Sequence, residues 1–204
     1  MTIALPDPQS SNSINIESAL RQRETKREFL TSPISLQNLS LLLFAAQGER
    51  GSNGKLTAPS AHEQYPMTVF VVANNVAEIE AGIYSYETAN NTMQLFSKGK
   101  YGKALSNSAI GEQPWVAEAA AIIILAANIE SMKNHFSAQS PINERGERYV
   151  YIETGAIAQN IQLQGTAIAV GMVLVGGFDN DIVKSILHLP NELEPTALLC
   201  VGNV

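Results

Sequence analysis

One stretch of the chain, residues 148–179, constrains the fold more than any other. It opens with a long run of small and apolar residues at helical spacing and passes into a short apolar segment typical of a strand. The stretch then turns at Gly176-Gly177 and reaches Asp179, which is well placed to cap a further helix. Two glycines at such a turn allow backbone N–H groups to approach another group closely. We therefore expect this turn to contact a ligand whose other contacts come from elsewhere in the chain.

The bulk composition indicates a heavily buried chain. Hydrophobic residues make up 45% of the 204 residues and charged residues only 16%, which fits burial between subunits as well as within one core. We expect either one substantial domain or one subunit of an intertwined dimer. The formal net charge of −6 and the pI near 5.1 argue against nucleic acid or an anionic membrane as the main partner.

The cysteine content and the apolar runs predict a cytoplasmic protein. The single cysteine, Cys200, lies in an apolar run, and we interpret it as a core residue that cannot form an internal disulfide. The N-terminal sequence lacks the basic and apolar regions of a signal peptide. The longest apolar run, residues 117–127, is too short to span a bilayer, so we expect no membrane partner.

The order of helical and extended patterns predicts an α+β fold with a mixed sheet. Strand patterns occupy residues 67–73, 82–86, 93–96, 121–127 and 197–201.

Capping residues predict two further helices, one from Ser35 to Gly48 and one that begins after Asp179 and ends before Pro190. Residues 1–15 lack periodicity and predict a flexible or draped arm, so that residues 16–204 form a single domain. Residues 130–147 are polar and irregular, and we expect a mobile connection there with a short helix.

Arg23, Thr25 and Arg27 form a candidate phosphate site. On a helix the two arginines lie four residues apart and share a face, where together with the threonine hydroxyl they could bind a phosphate. A solvated basic face is the alternative, and composition alone favours it, since Lys26 and Glu28 dilute the pattern.

A second candidate is the turn of residues 59–66, in which two prolines flank hydrogen-bonding side chains. Such a turn suits a planar ligand with polar edges, although an ordinary connection into the next strand is an equal interpretation. The turn at Gly176-Gly177 lacks the full dinucleotide-binding pattern.

Other chemistries have little support in the sequence. The histidines His62, His135 and His188 lie far apart along the chain with no metal-site spacing, so we predict no metal. The sequence has no G-x-S-x-G element, and no basic activator is evident for Cys200, which disfavours hydrolytic chemistry by a nucleophile.

Taken together and in this order, the segments 23–29, 58–66 and 155–179 resemble the nitroreductase family of FMN-dependent oxidoreductases. The first is similar to the family's R-x-[ST]-x-[RK]-x-[FY] segment, the second to its P-S-[SA] turn, and the third to its core helix and G-F-D turn. The form of the second segment is closest to the branch of azoline oxidases and streptolysin-type dehydrogenases. The resemblance covers about residues 18–202.

The resemblance implies an α+β fold with a mostly antiparallel central sheet flanked by helices, in an intertwined homodimer that binds FMN between its subunits. It also implies that Arg23, Thr25 and Arg27 hold the FMN phosphate and ribityl chain. The isoalloxazine ring would meet Pro59, Ser60 and Ala61 of the other subunit. Backbone N–H groups of Gly176 and Gly177 would face the ring near N5 and O4.

The resemblance further implies an enzyme in which the flavin carries the chemistry, so no catalytic side chain is predicted. NADH or NADPH would reduce FMN and leave before a nitroaromatic, quinone or enone-like acceptor is reduced, in a ping-pong sequence of hydride transfers through flavin N5. We expect the substrate pocket to draw on residues 98–115 and 128–147.

The chain also departs from the family pattern. Many relatives have glycine where this chain has Ala169, and a positive φ there would strain alanine by about 1 kcal/mol. Gly176 replaces an acidic residue of some members. The sequence ends at Val204 without the basic continuation of classical members, which predicts weaker FMN retention.

Two alternative functions remain open. An azoline-type peptide dehydrogenase would need a specific base, for which Tyr149 and Tyr151 are candidates, although both can equally be packing residues. A non-catalytic flavin-binding module is the other alternative.

Overall fold

A central antiparallel sheet lies between two layers of helices in the computed structural model, which describes residues 1–9, 14–51, 53–141 and 144–204. Within the described residues the strands are β1 (Thr2–Ala4), β2 (Glu49–Arg50), β3 (Lys55–Leu56), β4 (Met67–Ala73), β5 (Gly82–Glu87), β6 (Thr92–Lys98), β7 (Ala121–Ala127), β8 (Val170–Val175) and β9 (Glu194–Asn203). The helices of the same residues are α1 (Ile16–Gln22), α2 (Leu36–Gln47), α3 (Gly102–Ser108), α4 (Trp115–Glu118), α5 (Ile129–His135), α6 (Glu144–Ala167) and α7 (Asn180–Leu187).

The large sheet has the strand order β1-β6-β5-β4-β7-β9-β8, and each neighbouring pair is antiparallel. Strands β2 and β3 form a separate two-stranded antiparallel sheet. The predicted α+β class is therefore confirmed, and so is the mostly antiparallel sheet flanked by helices.

Strands β4 and β7 lie at the centre of the sheet because their side chains are apolar on both faces. Along β7, Ile123 and Leu125 belong to the core that includes residues of α2 and α6. Ile122 and Ile124 belong to the opposite core, with residues of α3, α4 and α7. The alternation of side chains along one strand thus builds both cores.

The predicted capping residues begin the helices as expected. The Ser35 hydroxyl accepts a hydrogen bond from the N–H group of Asn38 at 3.1 Å, and Gly48 ends α2. Asp179 caps α7 through its carboxylate, which accepts from the N–H group of Ile182 at 3.0 Å. This cap places the start of α7 directly after the Gly176-Gly177 turn.

Part of the expected N-terminal arm has a definite place in the fold. Thr2–Ala4 adds an edge strand to β6, and the carbonyl oxygen of Pro6 accepts a hydrogen bond from the Ser40 hydroxyl of α2 at 2.6 Å. Residues 10–13 of the arm lie outside the described residues. The division into an arm and a single domain stays a prediction. Among the described residues no helix combines the length and apolar character needed to cross a membrane.

Candidate functional site

The segment that carries Arg23, Thr25 and Arg27 is not helical, which corrects the sequence-based expectation. Helix α1 ends at Gln22, and the following residues cross the edge of β8, where the N–H group of Lys26 donates to the carbonyl oxygen of Met172 at 2.9 Å. The helical prediction was wrong because charge spacing alone does not show where a helix ends.

Within this segment Glu24 and Lys26, two residues apart, form an ion pair of 2.5 Å. Arg23 and Arg27 instead reach helices on the two faces of the sheet, α6 and α4 respectively. That the three predicted residues share one ligand stays a prediction.

The two arginines have different partners. Arg23 Nη1 donates to Gln162 Oε1 of α6 at 3.5 Å. The guanidinium of Arg27 lies over the ring of Trp115, 5.2 Å from its centre, at the start of α4. Arg27 is itself exposed, so the indole fixes its position without burying its charge.

The Gly176-Gly177 turn lies on the same side of the molecule as Arg27. Hydrogen bonds to the carbonyl oxygen of Gly177 hold the turn in place. Gly177 O accepts hydrogen bonds from the N–H group of Ile110 at 2.8 Å and from Gln113 Nε2 at 3.2 Å. Gln113 lies just before α4, so this short helix connects the arginine to the turn. Gln113 and Trp115 fall within the range 98–115 that was expected to line a pocket, but neither belongs to a recognisable motif, so neither was predicted individually.

Among the described residues, neither packing nor backbone conformation requires glycine at these two positions. A Cβ atom added at Gly176 would meet no atom within 4 Å, and one at Gly177 would meet only Ile110 and Gln113 at 3.8 and 3.9 Å. Neither glycine has a positive φ. The absence of side chains therefore leaves the backbone of this turn accessible from outside.

The turn of residues 59–66 has a different construction. Its backbone takes positive φ values at His62 (51°), Glu63 (57°) and Tyr65 (46°), none of which is glycine. Each such residue costs of the order of 1 kcal/mol or more unless its surroundings hold it. Ser60 supplies much of that support, because its Oγ accepts from the N–H group of Tyr65 at 2.9 Å and its carbonyl oxygen from that of Glu63 at 3.1 Å.

A buried carboxyl group lies beside this turn. Glu153 of α6 is 2% exposed, and neither carboxyl oxygen makes a hydrogen bond of ordinary geometry within the described residues. Burial raises its pKa to about 7, and the neighbouring Ser60 hydroxyl opposes part of that rise. The helix period could have revealed this residue, since Glu153 follows Val150 by three residues and precedes Ile157 by four on the buried face.

The structure also brings together two histidines that are distant in sequence. His62 Nδ1 and His135 Nε2 are 3.2 Å apart, and both rings pack against Phe136, which in turn contacts Tyr149. The two rings meet because His135, at the end of α5, packs on the turn that carries His62. Within the described ranges no group of three or more metal-ligating side chains forms a metal site.

A single chain does not unite all the predicted site residues. Arg23 reaches α6 at Gln162, whereas Ser60 lies beside Glu153, nine residues earlier on the same helix. That separation corresponds to about 14 Å along the helix axis. Arg27 and the glycine turn are connected through the residues around α4, whereas Ser60 lies apart from Arg23, beside Glu153.

The outer face of α6 exposes an isoleucine beside a glycine and a glutamine. Ile152 is 62% exposed, and Gly155 and Gln159 continue the same face one turn apart, with no atom within 4 Å of a side chain placed at Gly155. Gly165 of the same helix is buried, and a Cβ atom there would overlap the side chain of Met172.

The strain expected at the end of α6 is present. Ala169 has a φ of 56°, in the left-handed region that favours glycine. Cys200 is buried in β9, which confirms it as a core residue. Its burial raises the thiol pKa to about 12, so it is not a reactive thiolate near neutral pH.

Known proteins are similar to this chain in both sequence and fold. The family model described as "Nitroreductase family" matches residues 20–203. A provisionally named nitroreductase of Methanocaldococcus jannaschii is 34% identical over 202 residues, which cover 99% of this chain and 96% of the relative. A provisionally named nitroreductase of Ralstonia eutropha JMP134 superposes with a TM-score of 0.83 at 25% identity, over 100% of this chain and 89% of its own. A chain of the Escherichia coli microcin synthetase McbBCD complex has a TM-score of 0.71 at 21% identity, over 98% and 77% of the two chains.

Proposed function

The chain belongs to the nitroreductase family of oxidoreductases, and on that premise we propose that it is an FMN-dependent NAD(P)H oxidoreductase that acts as a homodimer. Its acceptors are nitroaromatic, quinone or enone-like compounds. The observation that carries the proposal is the Gly176-Gly177 turn, where glycine is required neither by packing within the chain nor by backbone conformation. A turn of this kind suits a flat ring that rests on bare backbone.

The segment that carries Arg23, Thr25 and Arg27 suits the remainder of FMN. Arg23 and Arg27 supply positive charge, and with Thr25 between them they suit a phosphate and a ribityl chain. Trp115 holds the guanidinium of Arg27, which reduces the entropy lost when the phosphate binds. Bound FMN would supply the hydride-transfer chemistry, and the chain's own groups would bind and orient the cofactor, the nicotinamide and the acceptor.

A second subunit would complete the site. Pro59, Ser60 and Ala61 of the partner subunit would cover the ring, because the same residues of one chain lie well away from its own arginine segment. The exposed Ile152 and the neighbouring Gly155 on α6 support a homodimer, since a large exposed apolar side chain beside a glycine suits close packing against a second copy of the helix.

The proposal predicts a yellow protein that loses its colour on anaerobic addition of NADH or NADPH. Arg27→Ala is expected to weaken FMN binding by roughly tenfold or more, since a charge-assisted contact to the phosphate is lost. Arg21→Ala is the matched control, because Arg21 is an exposed arginine on the last turn of α1, before the segment that carries Arg27.

Ping-pong turnover predicts parallel lines in double-reciprocal plots with a quinone acceptor. A colourless protein that does not bind added FMN would refute the proposal.

A peptide azoline dehydrogenase is the second candidate, and the similarity to the fold of the microcin synthetase chain favours it. Its proposed base would be Tyr149 or Tyr151. The Tyr149 hydroxyl donates to Gln139 Oε1 at 2.9 Å and its ring packs on Phe136, which fits a packing role, whereas Tyr151 is exposed. Oxidation of an azoline peptide without NAD(P)H would favour this candidate. Bound FMN that is never reduced by either nicotinamide or peptide would favour a non-catalytic flavin-binding module.

A further inference from the structure

We propose that Glu153 is a positioning residue of the flavin site, acting through the Ser60 hydroxyl on the turn of residues 59–66. The inference rests on the proposed function, because the turn has this role only if it contacts bound FMN. The ligand concerned is the isoalloxazine ring, which Pro59, Ser60 and Ala61 would cover from the partner subunit.

The first observation is the state of the Glu153 carboxyl. It is almost fully buried, and both of its oxygens lack a hydrogen bond of ordinary geometry within the described residues. Thr154, the next residue, is also buried but has full partners, since its Oγ1 lies 2.9 Å from Val150 O and 3.0 Å from Thr196 Oγ1. The fold therefore satisfies one of two adjacent buried polar side chains and leaves the other with Ser60 as its polar neighbour.

The second observation is that Ser60 holds a strained turn. Its Oγ accepts from the N–H group of Tyr65, so its own proton is free to point toward the Glu153 carboxyl. Three of the four residues from His62 to Tyr65 have positive φ, and this backbone keeps its shape only while its supports remain. A carboxyl group that fixes the rotamer of Ser60 consequently fixes the shape of the whole turn.

Packing gives no reason to keep a carboxyl at this position. An apolar side chain of similar volume would fill the same space without the free-energy cost of burying polar oxygens. Burial raises the pKa of Glu153 to about 7, so near neutral pH part of the population is the neutral acid, which can also donate a hydrogen bond to Ser60. A residue that lowers stability yet suits a neighbouring site is typical of a functional role.

The experiment compares FMN affinity with thermal stability. Apoprotein is titrated with FMN, the quenching of flavin fluorescence gives the dissociation constant, and melting curves of the apoprotein give Tm. For Glu153→Leu we expect a higher Tm and roughly tenfold weaker FMN binding, the size of one hydrogen bond. Glu153→Gln keeps a hydrogen-bonding group of the same shape, and its dissociation constant should stay within about threefold of the wild type.

Two further variants separate positioning from a general structural effect. Thr154→Val is the matched control on the same helix, and it should lower Tm without changing FMN affinity. Ser60→Ala should weaken FMN binding, and the double variant with Glu153→Leu should bind no more weakly than the worse single variant, because the two residues act through one contact.

The outcomes distinguish this inference from the proposed function. A wild-type protein that binds no FMN overturns both. A wild type that binds FMN, together with a Glu153→Leu variant that binds it equally well, overturns this inference alone. Fully additive losses for Ser60→Ala and Glu153→Leu do the same. If the leucine variant does not fold, Glu153→Met replaces it with an unbranched apolar side chain and the same expected results.

Discussion

The two turns that frame the candidate site are built on opposite principles. The Gly176-Gly177 turn has no side chains, no positive φ and open space above it, and its carbonyl group fixes it to the residues before α4. The turn of residues 59–66 has side chains throughout and stores backbone strain at His62, Glu63 and Tyr65. The first turn offers backbone donors to whatever binds, whereas the second is held in one shape by hydrogen bonds to Ser60.

This difference indicates which kind of change each turn tolerates. Substitutions in the glycine turn should change the stability of the protein little. They should weaken ligand binding strongly, because the added atoms occupy the place of the ligand. The strained turn should show coupled effects, since its shape depends on the hydrogen bonds of Ser60 and, through Ser60, on Glu153.

The largest expected effect is the loss of FMN binding in Gly177→Val. A Cβ atom at this position meets Ile110 and Gln113 at ordinary contact distances, so we expect Tm to change little. The valine methyl groups would stand where the ring must approach the backbone, and we expect affinity to fall by about a thousandfold. Fluorescence titration measures the loss of FMN affinity, and melting curves of the apoprotein test whether Tm is unchanged. A variant that keeps its affinity would show that the ring does not rest on this turn.

The second prediction concerns the strained turn and the pH dependence of stability. Glu153 has a pKa of about 7 in the folded protein against 4.5 for an ordinary glutamate. Between these values the folded protein keeps a proton that the unfolded chain releases, so stability falls as pH rises through this window and levels off above it. The shift corresponds to roughly 3 kcal/mol in the free energy of unfolding.

Glu153→Gln isolates that contribution, because every other titrating group, including the nearby His62–His135 pair, is common to both proteins. Urea unfolding of the apoprotein from pH 4.5 to pH 8 should show a difference between variant and wild type that grows with pH in favour of the variant. A difference that stays constant over this range would show that the carboxyl is hydrated.

Local patterns predicted the framework of this fold well and the assembly of its site only in part. Strands β4 and β7 were predictable because a strand buried on both faces is a continuous apolar run, and Ser35 and Asp179 mark helix starts by their own chemistry. Strand β1 escaped prediction because three residues at a sheet edge have no period of their own.

The site depends more on tertiary contacts. The glycine turn was predictable, since two adjacent glycines directly after an apolar strand indicate a turn with bare backbone. The contact of Arg27 with Trp115, the His62–His135 pair and the position of Glu153 beside Ser60 all join residues far apart in sequence. No local rule relates such residues, so the sequence could name members of the site without showing how they are held.

The smallest expected effect comes from relieving backbone strain at one residue inside the turn of residues 59–66 and at one residue outside it. Ala169→Gly and Glu63→Gly both replace a residue with positive φ by the residue that adopts it freely, and each should gain about 1 kcal/mol in the free energy of unfolding. The exposed ion pair of Glu63 with Lys55 subtracts little from that gain.

Ala169→Gly should leave FMN affinity unchanged, because this residue follows α6 and is not part of the turn. Glu63→Gly should weaken FMN binding despite its higher Tm, because a relaxed turn samples shapes that do not fit the ring. Equal affinities for the two variants would show that the strain at residues 62–65 has no part in shaping the site.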